Sequence, residues 1–182
     1  MFTYVPTPNE MSMWDAACIA IGIQEDVLME NAARAAMECL RRRIPLPGGV
    51  LKGLRVLLVA GGGNNGGDAF CMARHCADSG ALATLIIAKD PKGDSAAARW
   101  LDVLRQYPVS IVPAQEWLDG STQIFDGLPP QIVIDGLLGT GFHGQLRDQE
   151  LRIIQKINEL KKLGTHIFAI DIPSGINGDN GR

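Results

Sequence analysis

The sequence predicts an α/β protein: a three-layer αβα sandwich with a mostly parallel sheet and two extra N-terminal helices. Two observations carry this. The runs Arg55 to Ala60, Ala83 to Ala88, Val109 to Val112, Ile132 to Ile134 and His166 to Ile170 are β-rich and lack polar alternation, as strands buried on both faces do. Between them lie stretches with helical spacing, at Gly67 to Asp78, Ala96 to Tyr107, Ala114 to Phe125 and Gln149 to Leu163.

Ahead of the first strand, Met11, Trp14, Cys18 and Ile21 fall at helical spacing and predict a helix over Asn9 to Ile21, which Gly22 ends. Its apolar residues suit either a neighbour or the chain's own sheet, and periodicity does not choose. Val27, Leu28, Ala32, Ala35, Ala36, Met37 and Leu40 form the stripe of a second helix, broken at Ile44-Pro45-Leu46-Pro47. With 182 residues the chain fits one domain, 1–182, large enough to bury roughly two-thirds of the surface its unfolded form exposes.

The four cysteines, Cys18, Cys39, Cys71 and Cys76, form no C-x-x-C pair and sit in apolar helical stretches, which suits core thiols in a reducing compartment. The opening residues lack a basic segment followed by a long apolar run. No window approaches the roughly eighteen apolar residues of a membrane span, so a cytoplasmic protein without a membrane partner is expected. The net charge is −3, and the one basic cluster, Arg41-Arg42-Arg43, ends a helix whose dipole it complements. No nucleic-acid partner is expected.

Ligands of an open parallel sheet bind beyond the carboxyl ends of its strands, so the residues following each apolar run are the informative ones. After the first strand comes Gly61-Gly62-Gly63-Asn64-Asn65-Gly66-Gly67-Asp68, where glycines leave backbone N–H groups open and a helix N-terminus adds positive charge for an anion. Gly61, Gly63 and Gly66 also satisfy the spacing of a dinucleotide fingerprint, with Asp90 in range of a ribose hydroxyl, although a tight strand-to-helix turn without a ligand has the same spacing. The second loop, Asp135 to Gln145, starts on a carboxylate and holds Gly139, Gly141 and Gly144 with the Thr140 hydroxyl. The third, Asp171-Ile172-Pro173-Ser174-Gly175, again places a carboxylate after a buried strand. Asn65, Asp135 and Ser174 supply oxygen without histidine or thiolate, a set that suits a hard cation better than zinc or copper.

The strings GGGNNGGDAF, IDGLLGTGFHGQLR and IDIPSGINGDNG, with GIQEDVLMENAARAA ahead of them, resemble one family, the NAD(P)H-hydrate epimerases or YjeF N-terminal domain family. The resemblance runs from about Met11 to the last residue and extends to the N-terminal part of bifunctional NAD(P)H-hydrate repair enzymes. It implies a Rossmann-like sheet and an isomerase that interconverts the R and S forms of hydrated NADH or NADPH for coenzyme repair. Carried over by position, Asn64, Asn65, Gly66, Gly67 and Asp68, with Gly139, Thr140, Gly141, Phe142, His143, Gly144 and Gln145, would hold the hydrated dinucleotide together with Asp171. Asn65, Asp135 and Ser174 would bind potassium (K+), and Asp171 is the expected acid/base, since epimerising a carbon that bears a hydroxyl needs proton transfer. The resemblance further implies a dehydratase as partner or fused domain, and a homodimer.

Gly62 and Ala69 depart from the family's frequent proline and glycine. Domains of the family continue past the PSG segment, so a chain ending at Arg182 is expected to be truncated at its C-terminal end relative to the family. Two other functions fit the same sequence. One is a non-catalytic binding or scaffold domain, because the resemblance also reaches mRNA-decapping scaffolds and a secreted lipoprotein-binding relative. The other is the cofactor half of an NAD-dependent dehydrogenase using Gly61, Gly63, Gly66 and Asp90, for which no catalytic domain is evident.

Overall fold

A computed structural model describes residues 5–181. Five strands, β1 (Arg55–Ala60), β2 (Leu82–Ile87), β3 (Ser110–Pro113), β4 (Ile132–Gly136) and β5 (His166–Ala169), form one sheet in the order β3-β2-β1-β4-β5. Every pairing is parallel. The sheet is therefore wholly parallel, as uninterrupted apolar strands require when helices cover both faces.

Alternation within β1 divides the core. Val56, Leu58 and Ala60 face one side with α2 (Glu25–Arg43), α3 (Asn64–Asp78) and α4 (Ala96–Leu104). Leu57 and Val59 face the other, against Ala114 and Trp117 of α5 (Ala114–Asp119) and Ile153 and Ile157 of α6 (Asp148–Lys162). Each residue from Val56 to Ala60 is fully buried, so the missing polar alternation reports two covered faces. Helix α2 buries Met29, Ala33, Met37 and Leu40, an i, i+4 stripe. Acidic residues in its first turn and Arg41 to Arg43 in its last complement the helix dipole.

Helix α1 (Pro8–Ala20) begins with Pro8 after the N-cap Thr7, whose hydroxyl accepts from Glu10 N–H while Glu10 accepts from Thr7 N–H. None of its residues is buried, so its apolar stripe does not enter the chain's own sheet. Most element ends lie within two residues of the sequence expectation, and three helix boundaries differ by more. Helix α3 starts at Asn64 instead of Gly67, α4 stops at Leu104 instead of Tyr107, and the piece expected over Ala114 to Phe125 is α5 followed by a separate 3-10 turn at Phe125–Gly127. Gly120, at φ +78, ends α5, and Asp126 inside the turn also has positive φ; neither conformation continues a helix.

Candidate active site

From β1 the chain winds outward through β2 to β3, and then returns to lay β4 on the opposite edge of β1, followed by β5. The loops leaving β1 and β4 thus diverge, and the crevice they leave beyond the strand ends is where doubly wound sheets hold ligands. A cleft of about 1510 Å³ opens there, walled by α1, the start of α2 and the segments that follow β1, β2, β4 and β5. A smaller one of about 290 Å³ lies at the other end of the strands, between residues such as Leu46, Pro130 and His166.

Only Gly61 to Gly63 form the loop after β1; Asn64, Asn65, Gly66 and Gly67 are the first turn of α3. The glycines there have packing reasons. A Cβ on Gly66 would lie 1.9 Å from the Gly61 carbonyl oxygen, and one on Gly61 would lie 2.1 Å from that of Leu137. Gly67 packs instead against α2, where Met29 Sδ and Cε would sit 2.5 Å from a Cβ added at 67. The strand-to-helix turn and the open N-terminus of α3 are therefore one device: close packing lets the helix begin directly under the cleft, with its first N–H groups unsatisfied by a side-chain cap.

Asp135, Ser174 and Asn65 meet beneath this turn. Asp135 is buried at the end of β4, where its Oδ1 accepts from Ser174 Oγ at 2.5 Å and Leu137 N–H at 3.2 Å, and its Oδ2 accepts from Ser174 N–H at 3.0 Å. Leu138 links the three: its N–H donates to Ser174 Oγ at 2.9 Å, and its carbonyl accepts from Asn65 Nδ2 at 2.9 Å. Asn65 Oδ1 is buried without a hydrogen-bond partner. A buried acceptor left unpaired costs free energy unless something electropositive meets it. Among the described residues no group of three or more His, Cys, Asp or Glu is placed to hold a metal, so a cation here would rely on amide, hydroxyl and carbonyl oxygen beside the single carboxylate.

Asp171, just past β5, lines the cleft, and its Oδ2 accepts from Thr140 N–H at 2.7 Å. A Cβ on Gly139 would lie 3.0 Å from that oxygen and 3.1 Å from Asn65 Cβ, so the absence of a side chain at 139 lets the second loop pass between the carboxylate and α3. Asp68 lines the same cleft one turn into α3. Burial pushes its carboxyl up to about 7, with the negative charges of Asp171 and Asp15 acting in the same direction.

Of the residues singled out from the sequence, Asn64, Asn65, Gly66, Asp68, Gly139, Thr140, Gly141, Phe142, His143, Gln145 and Asp171 line the cleft. Gly67 and Gly144 do not line it. Gly144, at φ +98, serves the turn of its loop. Asp90 is exposed and does not line the cleft, where its neighbour Lys89 does. Cys71, expected as a core thiol, is buried in α3, and His75 one turn on lies 3.0 Å from Glu30. The sequence reading missed the wall that α1 supplies through Ser12, Asp15, Ala16 and Ile19. Their i, i+3, i+4, i+7 spacing is that of one helix face, but a face of mixed polarity gives no hydrophobic signal.

This fold and this crevice define a doubly wound α/β domain of the kind that holds nucleotides at its switch point. The family model for the YjeF-related protein N-terminus matches residues 25–182, and the chain belongs to that family. It is 37% identical over 166 residues to the NAD(P)H-hydrate epimerase of Cenarchaeum symbiosum, covering 90% of this chain and 70% of the relative. Identity to the bifunctional NAD(P)H-hydrate repair enzyme Nnr of Methanocaldococcus jannaschii is 32% over 174 residues; this chain spans 33% of that protein. The crystal structure of yeast ynu0, YNL200c, superposes with a TM-score of 0.80 at 23% identity, covering 96% of this chain and 72% of that one, and shows the shared fold.

Proposed function

We propose that this domain epimerises the R and S forms of hydrated NADH and NADPH, which are thereby brought to the form that a dehydratase returns to the coenzyme. The observation that carries the reading is the convergence of the open α3 N-terminus, the loop after β4 and Asp171 on one cleft, in a chain whose relatives are named for this activity. In those named as bifunctional repair enzymes the matched segment is about a third of the protein, which supports a fused or separate dehydratase as partner. No helix among the described residues is long and apolar enough to cross a membrane, which is consistent with a cytoplasmic setting. A homodimer is part of the proposal, supported by the apolar residues that α1 and its end leave exposed, among them Met13 at 62% and Ile21 at 79%.

The chemistry follows from the hydrated carbon, which carries a hydroxyl beside the ring nitrogen. Inverting it requires the C–O bond to break, with a proton delivered to the departing oxygen, and water to add from the other face, with a proton removed. Asp171 is assigned this proton transfer. Thr140 N–H fixes its Oδ2, and Oδ1 takes no hydrogen bond among the described residues, which leaves it for substrate. The α3 N-terminus, with Asn64 and Asn65, is assigned the dinucleotide phosphates. Asn65 Oδ1, Asp135 and Ser174 Oγ fit a potassium ion, which would supply positive charge beside the carboxylates.

The test is conversion of a single purified hydrate epimer, followed by chromatographic separation of the two forms. Catalysed approach to the same mixture from either pure epimer is expected. Rates equal to those without protein would refute the proposal and favour a binding domain on the same fold.

A further inference from the structure

We infer that Lys89 makes this cleft select the dinucleotide hydrate that carries a 2′-phosphate, the NADPH form over the NADH form; the inference rests on the proposed function. The order of the sheet sets the direction of the ligand. Asp171 follows β5, the Thr140 loop follows β4, the glycine loop follows β1, and Lys89 follows β2, all along one sheet edge. With the hydrated ring at Asp171 and the phosphates at the α3 N-terminus, the adenosine half lies over the end of β2, about three strand spacings or roughly 14 Å from β5. In doubly wound dinucleotide sites the residue at the end of this strand meets the adenosine ribose: a carboxylate accepts from the 2′-hydroxyl, and a cation accommodates a 2′-phosphate.

Here that residue is a cation. Lys89 lines the cleft, and among the described residues its ammonium makes no ion pair or hydrogen bond. Its stem lies across the glycine loop: a Cβ on Gly62 would stand 3.2 Å from Lys89 Cγ and 2.8 Å from the Asp90 carbonyl oxygen. A side chain at 62 would push this segment away, so Gly62 lets Lys89 sit beside the phosphate cradle. The backbone around it is also pinned. Ala88 N–H donates to the Ala60 carbonyl at 2.9 Å, Ser95 caps α4, and Arg99 grips both carboxylate oxygens of Asp26 and the Asp94 carbonyl. The backbone that carries Lys89 is thus fixed before ligand arrives, so that the side chain alone has to be ordered on binding.

Calorimetric titration of the full chain and of Lys89→Ala with adenosine 5′-monophosphate, adenosine 5′-diphosphate and adenosine 2′,5′-bisphosphate tests this without relying on turnover. The unaltered protein is expected to bind the 2′,5′-bisphosphate about tenfold more tightly than either 5′-nucleotide, and Lys89→Ala to remove that preference while weakening the 5′-nucleotides by less than about threefold. Equal binding of the bisphosphate and the 5′-diphosphate would show general attraction to charge and overturn the inference. Survival of the preference in Lys89→Ala, or no binding of any nucleotide, would overturn it as well. Hydrate turnover measured on the same preparation separates the two claims, since turnover with a flat nucleotide preference sinks the selectivity alone, and a preference without turnover sinks the epimerase alone.

Discussion

Thr140 N–H donates to Asp171 Oδ2 at 2.7 Å, so the loop that leaves β4 holds the carboxylate that leaves β5. An asparagine at 171 can keep this contact through its amide oxygen but cannot exchange the proton. Asp171→Asn is therefore expected to lower turnover of the hydrate by about a hundredfold or more, with nucleotide affinity changed less than about threefold. Turnover within tenfold of the parent would remove Asp171 from the acid/base role.

Asp68 supplies a test by pH. Its carboxyl titrates near 7 in the folded chain against 3.8 for an ordinary aspartate, so between these values the folded state holds a proton that the unfolded state has released. Stability then falls as pH rises through that window and stays lower above it. Replacing the group by a neutral amide removes the effect, so Asp68→Asn should gain on the parent between pH 4 and pH 8 by roughly 2–4 kcal/mol. Thermal unfolding of both proteins across that range would show the two curves diverging; parallel curves would refute a neutral Asp68.

The buried, unpaired Asn65 Oδ1 predicts an ion effect on folding as well as on activity. Exchanging sodium for potassium at constant ionic strength should raise the Tm of the parent, because an ion bound by the folded state alone stabilises it. Asn65→Ala should abolish that increment and, by losing the bond to the Leu138 carbonyl, cost about 1 kcal/mol in sodium and more in potassium. An unchanged potassium increment in the variant would place the ion elsewhere.

Two neighbouring glycines should respond differently to alanine. Helix propensity favours alanine by about 1 kcal/mol at either position. At Gly66 the new methyl would meet the backbone oxygen of Gly61 at 1.9 Å, which cannot yield without moving the turn, and a net loss of about 3 kcal/mol or more is expected. At Gly67 the obstacles are the flexible end of Met29 and, at 3.0 Å, the Ala97 Cβ, so propensity offsets only part of the clash and a smaller net loss, about 1–2 kcal/mol, is expected. Chemical denaturation of the two variants checks the contrast, and equal losses would contradict it.

The parallel sheet was legible because Val56 to Ala60 and Ile132 to Ile134 are apolar on both faces, and position at the ends of β4 and β5 was enough to bring Asp135 and Asp171 to the same end of the sheet. Periodicity did not reveal that α3 begins at Asn64, since the glycines that mimic an open loop are helical and owe their identity to the backbone of β1 and its neighbours. The wall formed by α1 was equally hidden, because Ser12 and Asp15 share its face with Ala16 and Ile19. The glycine spacing points to Asp90, whereas Lys89 lines the cleft: one residue past a strand end decides which side chain enters, and the packing against Gly62 is not visible in the sequence.

The most direct measurement supplies the protein with mixed R and S NADPH hydrates and an excess of S-specific dehydratase, and follows the return of NADPH absorbance in potassium and in sodium. Recovery of the R fraction faster than its spontaneous epimerisation, quicker in potassium and lost in Asp171→Asn, is the predicted result. Recovery at the spontaneous rate in both salts would contradict it and leave the cleft as a binding site without this chemistry.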